Sequence, residues 1–138
     1  MKRTVLISLI IGFFLIWIVG FGSSIFASKC LSDNASPRSK LTSCNIASAT
    51  TLSRFVSSDE AEFVAIELER GISLIENQRM KDGTYAIKKI LEKYGLVGGD
   101  GRNAEARSLN PVEVVIFRRV KLLDPSSDAF SVFAHEMR

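Results

Sequence analysis

An uncharged, strongly apolar stretch near the start of the chain, Thr4–Ser28, constrains this protein more than any other feature. A charge at the centre of a bilayer costs about 2.5–3.5 kcal/mol on insertion scales, so an uncharged run of this length is typical of lipid-embedded segments. At about 1.5 Å per helical residue, the run can cross a hydrocarbon core of about 30 Å. The sequence therefore predicts one N-terminal membrane anchor, with Lys2 and Arg3 on the cytoplasmic side and the remainder exported.

A cleaved secretory signal is the alternative interpretation of the same segment. Two basic residues before an apolar run fit a signal, and Ile25-Phe26-Ala27 offers a cleavage site. Signal cores usually run about 7–15 apolar residues, however, and Ile25 stands where a small residue is preferred. Both interpretations give three regions: a membrane anchor or signal peptide at 1–28, a polar linker at 29–49, and a small exported domain at 50–138.

The balance of charge excludes one class of partner. The chain has 18 basic and 15 acidic residues, and two of the basic ones are Lys2 and Arg3. The other charges nearly balance and are interspersed, which is unlike the clustered basic surface of a nucleic-acid-binding protein. We therefore expect a protein partner and a membrane contact through residues 4–28, and no nucleic acid.

The two cysteines, Cys30 and Cys44, both follow the apolar segment. In an oxidising compartment such a pair most often forms a structural disulfide. Closing the loop between them would stabilise the fold by about 3 kcal/mol in the chain-entropy model. With no histidine nearby, they make a poor metal-binding set. The sequence therefore predicts a Cys30–Cys44 disulfide, no metal site and no cofactor.

Two helices joined by a short polar turn are predicted for the first half of the domain. Ser57 and Glu60 form a capping box that begins the first helix, and Asp82-Gly83 ends it. Thr84 caps the second helix, and Gly95 suits the left-handed position at its end. Apolar residues recur at helical spacing in both: Ala61, Val64, Ala65, Leu68, Ile72 and Ile75 in the first, and Ile87, Ile90, Leu91 and Tyr94 in the second. We expect an antiparallel helix pair.

The C-terminal part of the sequence predicts a β-hairpin. Val112–Leu123 is rich in β-branched and apolar residues, Asp124–Asp128 has the composition of a turn, and Ala129–Ala134 reads as a returning strand. Two strands alone are marginal in water, so the helix pair should pack across them. The predicted fold class is α+β: a hydrophobic transmembrane or signal helix, then a small domain of an antiparallel helix pair packed on a C-terminal β-hairpin.

No residue of the chain is assigned a catalytic role. His135 is the only histidine, and nothing in the sequence places a nucleophile and a carboxylate beside it. The glycine-rich loop Gly98–Asn103 follows a helix and leads to a predicted strand, unlike a phosphate-binding loop, so it is interpreted as a plain connection. Four glutamates of the first helix are expected on its solvated face: Glu60, Glu62, Glu67 and Glu69.

The most informative charged group is Arg118, Arg119 and Lys121 on the predicted strand. Charges there can simply prevent edge-to-edge aggregation. They can also form a basic recognition edge for an acidic protein or lipid head group. With no convergent catalytic groups, we expect a non-enzymatic protein-interaction module anchored in the cell envelope, at the inner membrane and facing the periplasm if the source is bacterial. A secreted small enzyme or enzyme inhibitor, released after signal cleavage, is the alternative.

Overall fold

A computed structural model describes residues 2–50, 60–97 and 110–138 of the chain, without the side chains of residues 2, 19, 20 and 23. Over these residues the chain forms six helices. In chain order they are α1 (Lys2–Cys30), α2 (Pro37–Thr50), α3 (Glu60–Glu76), α4 (Met80–Lys93), α5 (Pro111–Lys121) and α6 (Asp128–Glu136). Helix α3 lies at the centre and contacts the other five.

The predicted β-hairpin is wrong, because both of its strands are helices. No strand occurs in the described ranges, so the predicted α+β class is replaced there by an all-helical fold. Helix α5 begins with a capping box: the Asn110 side chain accepts from the Glu113 N–H at 2.8 Å, and Glu113 accepts from the Asn110 N–H at 3.0 Å. Pro111 occupies the first turn, where its missing N–H does no harm. These local signals and tertiary packing outweigh the β propensity of the valines.

The second predicted strand begins helix α6 instead. The Ser127 side chain accepts from the Phe130 N–H at 3.1 Å and caps the helix. Ala129 and Phe133 then lie four residues apart on the buried face, as Val112 and Ile116 do in α5. An apolar spacing of four favours a helix that packs against a core, whereas a strand needs alternation.

The antiparallel helix pair is confirmed, but the boundary between its members is wrong. Helix α4 begins at Met80, and Gly83 lies inside it instead of ending α3. A Cβ atom at Gly83 would lie 2.5 Å from the Ile75 side chain and 2.7 Å from the carbonyl oxygen of Gly71. Glycine is therefore needed at Gly83 because α4 crosses α3 at that point. Gly95 has φ +67°, as the predicted left-handed helix end requires.

Two apolar clusters hold the helices together on different sides of α3. The first joins α3 to α4, α5 and α6 and includes Leu68, Ile72 and Phe133, which are 0 %, 1 % and 0 % exposed. The second joins α3 to α1 and α2 and consists of Ala27, Cys30, Cys44, Ala47 and Ile66. Cys30 and Cys44 form the predicted disulfide, which ties the end of α1 to α2.

The N-terminal segment predicted as a membrane span forms most of α1. Its last turn packs into the second cluster, while its large apolar side chains from Val5 to Phe21 that the structure describes are at least half exposed. Among the residues that the structure describes, no helix is both long and apolar enough to cross a membrane. The predicted localisation as a single-pass membrane protein with an exported C-terminal domain is therefore contradicted.

Residues of the predicted polar linker contribute to the folded structure. Helix α2 lies in this segment except for its last residue, Thr50, and packs against both α1 and α3. It begins at Pro37, whose carbonyl oxygen accepts a 3.0 Å hydrogen bond from the Asn77 side chain. The capping residue Ser57 and the glycine-rich loop Gly98–Asn103 lie outside the described residues. The division of the chain into domains stays a prediction.

Candidate functional site

The predicted recognition edge lies on a helix, and its three basic residues have different environments. Arg118, Arg119 and Lys121 all belong to the last turns of α5, where positive charge suits the negative end of the helix dipole. Arg118 and Lys121 are exposed, whereas Arg119 is partly buried. A strand edge is therefore the wrong description of this group, and its three members have to be considered separately.

Arg119 is held in an ion cluster by a buried acid of α3. Its guanidinium donates to both carboxylate oxygens of Glu69, and its Nη2 atom lies 3.2 Å from Oε2. Lys40 of α2 reaches the same carboxylate with Nζ 2.7 Å from Oε2. Burial acts to lower the pKa of Arg119, but the hydrogen bond and charge of Glu69 outweigh it and raise that pKa. Arg119 thus joins α5 to α3 and is unavailable for recognition.

Arg118 lies at the rim of a small cleft between α3 and α5. The cleft has a volume of about 430 Å³, and Arg119 also contributes to its lining. Apolar side chains form much of its wall, including Leu68 at the base and Leu122, which is 70 % exposed. The structure thus brings two of the three predicted residues to one cleft and leaves Lys121 outside its lining.

His135 does not join this group. It is exposed on α6, and the cleft beside Arg118 is lined by residues of α3, α5 and the connection between α1 and α2. Within the described ranges, no group of three or more His, Cys, Asp or Glu side chains is arranged to hold a metal ion. No observation favours acid–base or nucleophilic chemistry at the cleft.

A second concavity runs along α3, between α2 and α4, and sequence reasoning did not find it. We call it the α3 groove. Its main part has a volume of about 850 Å³. A further concavity of about 320 Å³ shares four lining residues with it, so the two adjoin along α3. The shared residues are Asn45, Arg70, Tyr85 and Ala86.

The floor of the α3 groove is one stripe of α3. Residues of this stripe are spaced alternately three and four apart, which places them on a single helical face. They are Glu60, Phe63, Glu67, Arg70 and Leu74. A trace of this face is visible in the sequence, where Phe63 and Leu74 widen the apolar stripe of α3 beyond one side. Because polar residues lie between Phe63 and Leu74, the face has no apolar periodicity that would predict it.

The acids of the groove are already paired within the protein. Glu60 accepts from Lys93 at 2.8 Å and from the hydroxyl of Tyr94 at 2.7 Å. The Lys93 hydrogen bond, with help from Tyr94, lowers the pKa of Glu60 below its usual range, and the same contact raises the pKa of Lys93. Burial, followed by the hydrogen bond to Glu60, raises the pKa of Tyr94.

The carboxylate in the middle of the groove is also paired within the protein. Glu67 accepts from Ser48 of α2 and from Arg70, whose Nη2 atom lies 2.8 Å away. Two side chains of the α4 wall contrast with these pairs. Tyr85 is 69 % exposed, and Lys89 is exposed with no hydrogen-bond or ion-pair partner among the described residues. Considering only the described residues, the groove therefore offers one cation without a partner, one exposed ring and a partly apolar floor.

The predicted solvated face of four glutamates is only partly correct. Glu60 and Glu62 are exposed, Glu67 is partly buried, and Glu69 is 5 % exposed within its ion cluster.

Comparisons of the chain with protein-family models, curated proteins and solved structures find no match.

Proposed function

We propose that this protein is a non-enzymatic protein-interaction module and that the α3 groove is its binding surface. The observation that carries the proposal is the pair of adjoining concavities along α3, bounded by helices on both sides and floored by Phe63 and Leu74 between paired charges. Concave, partly apolar surfaces with a few placed polar groups are where proteins bind other molecules. The Cys30–Cys44 disulfide favours action in an oxidising environment.

The charge arrangement supports binding in preference to catalysis. A general acid or base needs a carboxylate or imidazole free to exchange a proton with a substrate. Glu60 and Glu67 each accept hydrogen bonds from two donors of the same chain. The small enzyme or enzyme inhibitor therefore gains no specific support from the groove.

Site-specific photo-crosslinking tests the binding surface. A photoreactive amino acid at position 85, on the groove wall, should give a discrete crosslinked product in cells that express the full chain. The same amino acid at Lys81, an exposed residue of α4 outside the groove lining, is the matched control and should not give that product. Adding Lys89→Glu to the position 85 protein should remove the product.

Identical crosslinking patterns from positions 85 and 81, or a pattern that is insensitive to Lys89→Glu, would contradict the proposal. Thermal melting of each variant accompanies the experiment. Because Tyr85 and Lys89 are exposed, the variants should melt like the original protein.

A further inference from the structure

We infer that the partner segment bound in the α3 groove is an amphipathic helix of about four turns that carries an acidic residue opposite Lys89. This inference names the class of partner and rests on the proposed function. Its first support is length. The groove floor runs from Glu60 to Leu74, which at about 1.5 Å per residue is about 21 Å of helix. Four turns of a partner helix have the same length.

The second support is the spacing of the floor. Two helices pack along their length when each presents side chains that alternate three and four residues apart. The groove stripe of α3 has this spacing. Its accessible apolar member is the partly buried Phe63, while Leu74 at the far end is 4 % exposed. The other sides of α3 are already covered by α2, α4 and α5. A bound helix would therefore cover the remaining face of α3.

The third support concerns the backbone. An extended peptide gains affinity by pairing its main chain with an exposed strand edge. The groove is bounded by α2, α3 and α4, whose main-chain groups bond within their own helices. A helix satisfies its own main chain and needs only side-chain contacts, so it fits this surface better than an extended segment does.

The charge of the partner follows from what the groove leaves unpaired. Glu60, Glu67 and Asp82 are held by Lys93, Arg70 and Arg79 at 2.8, 2.8 and 2.7 Å. Lys89 alone among the described cations of the groove wall has no such partner, and it lies one helical turn from Tyr85. A carboxylate on the flank of the bound helix would pair with Lys89 while its apolar face covers Phe63.

Competitive selection from two displayed peptide libraries tests the inference on the oxidised full chain. One library holds 15-residue helix-forming peptides, and the other holds peptides of equal length with prolines that prevent a helix. Counter-selection against the immobilising support without the protein removes peptides that adhere to the support, so the dependence of binding on Lys89 is left to be measured. The helical library should be enriched in peptides with apolar residues three and four apart and an acid on one flank.

Binding of the enriched peptides is then measured for individual variants of the full chain. Lys89→Glu should weaken binding at least tenfold, and the matched exposed control Lys81→Glu should change it less than twofold. Replacing the peptide acid with lysine should restore binding to the Lys89→Glu protein. This charge reversal is a readout that a merely structural role of Lys89 would not produce.

The other outcomes separate the inference from the proposed function. Enrichment of the proline-containing peptides, with binding that still depends on Tyr85 and Lys89, would overturn the helical class and leave the groove as the interaction surface. Enriched peptides whose binding ignores both residues would overturn the inference and count against the groove itself. Helical peptides without an acidic residue would overturn the proposed role of Lys89.

Discussion

Two sides of α3 carry glutamates, and the protein treats them in opposite ways. On one side Glu69 is buried between α2 and α5, with Lys40 and Arg119 closing around it. On the other side Glu60 and Glu67 lie along an open groove and take their partners mainly from residues at its walls and floor. We call these the closed side and the open side of α3. The same residue type, within a few turns of one helix, serves packing on one side and a solvent-facing surface on the other.

The difference teaches how much the environment of a charge decides its role. A buried carboxylate must be fully paired, since removing one partner leaves an uncompensated buried charge. An exposed pair is screened by water and contributes only about 0–1 kcal/mol. The closed side should therefore respond strongly to substitution and the open side weakly, and three measurements test this contrast.

The largest effect is expected from Glu69→Ala. This variant leaves Lys40, 7 % exposed, and Arg119 with no acid between them, so the free energy of unfolding should fall by about 3–5 kcal/mol. Glu62→Ala, at an exposed position of the same helix, is the control and should change it by less than about 0.5 kcal/mol. Chemical denaturation of the full chain measures both. Equal free energies of unfolding for Glu69→Ala and Glu62→Ala would show that the ion pairs of Glu69 do not stabilise the closed side.

A further variant separates charge from packing on the closed side. Replacing Lys40, Glu69 and Arg119 together by apolar residues of similar volume removes every charge of the cluster. Because buried ion clusters often tolerate such exchange, the triple variant should recover much of the stability that Glu69→Ala loses. A triple variant as unstable as the single one would instead assign the loss to side-chain shape.

An intermediate effect is expected from the disulfide, which supports the closed side by holding α1 to α2. Cys30→Ala with Cys44→Ala should lower the free energy of unfolding by about 3 kcal/mol, because the unfolded chain gains freedom. Reductant should destabilise the original protein and leave the double variant unchanged. A mass increase of about 2 Da on reduction, the two added hydrogens, identifies the bond itself. A melting curve insensitive to reductant would refute its structural role.

The smallest effect is expected on the open side, at Glu60. Lys93 and Tyr94 lower the pKa of Glu60 below its ordinary value of 4.5. A lowered folded-state pKa means that the contribution to stability is present above the unfolded-state value and is lost as the pH falls through the folded-state value. Lys93→Gln should therefore raise the pKa of Glu60 towards 4.5, with little change in melting temperature. NMR titration of the side-chain carboxyl measures this shift.

The matched control for that titration is Lys81→Gln, which removes an exposed charge of α4 outside the groove. It should leave the pKa of Glu60 where it is in the original protein. An unchanged Glu60 pKa in Lys93→Gln, or an equal shift in both variants, would mean that the contact is not specific. A large loss of stability in Lys93→Gln would contradict the expectation that substitutions on the open side have small effects.

Sequence reasoning was correct where the signal was local and periodic. The apolar stripe through Leu68 and Ile72 gave the core of α3, and the position of Gly95 gave the end of α4. It failed at α5 although a local signal was present. Asn110 and Glu113 form a capping box around Pro111, whereas the β-branched residues that follow favour a strand by propensity alone. Strand propensity reflects packing context, so it is a weak guide where a helix cap is available.

The candidate site was less accessible to sequence reasoning than the core was. The groove floor mixes Phe63 and Leu74 with Glu60, Glu67 and Arg70, so it has no apolar periodicity of its own. The predicted recognition group contained Arg119, whose partner Glu69 lies 50 positions earlier in the chain. Pairings over that distance depend on how the helices pack, and no local pattern encodes them.

The sequence by itself determined the pairing of Cys30 with Cys44, the helical character of α3 and α4, and the apolar residues that these two helices contribute to the main core. These depend on composition, local capping and periodicity. Only the tertiary structure decided that Gly83 lies within α4, that Glu69 is buried and that Lys89 has no charged partner in the described part of the chain. The physical reason is that each depends on a neighbour from another helix. At Gly83 the α3 backbone approaches too closely for a Cβ atom. At Glu69 a cation from α2 lies within ion-pair distance, and at Lys89 no described carboxylate does.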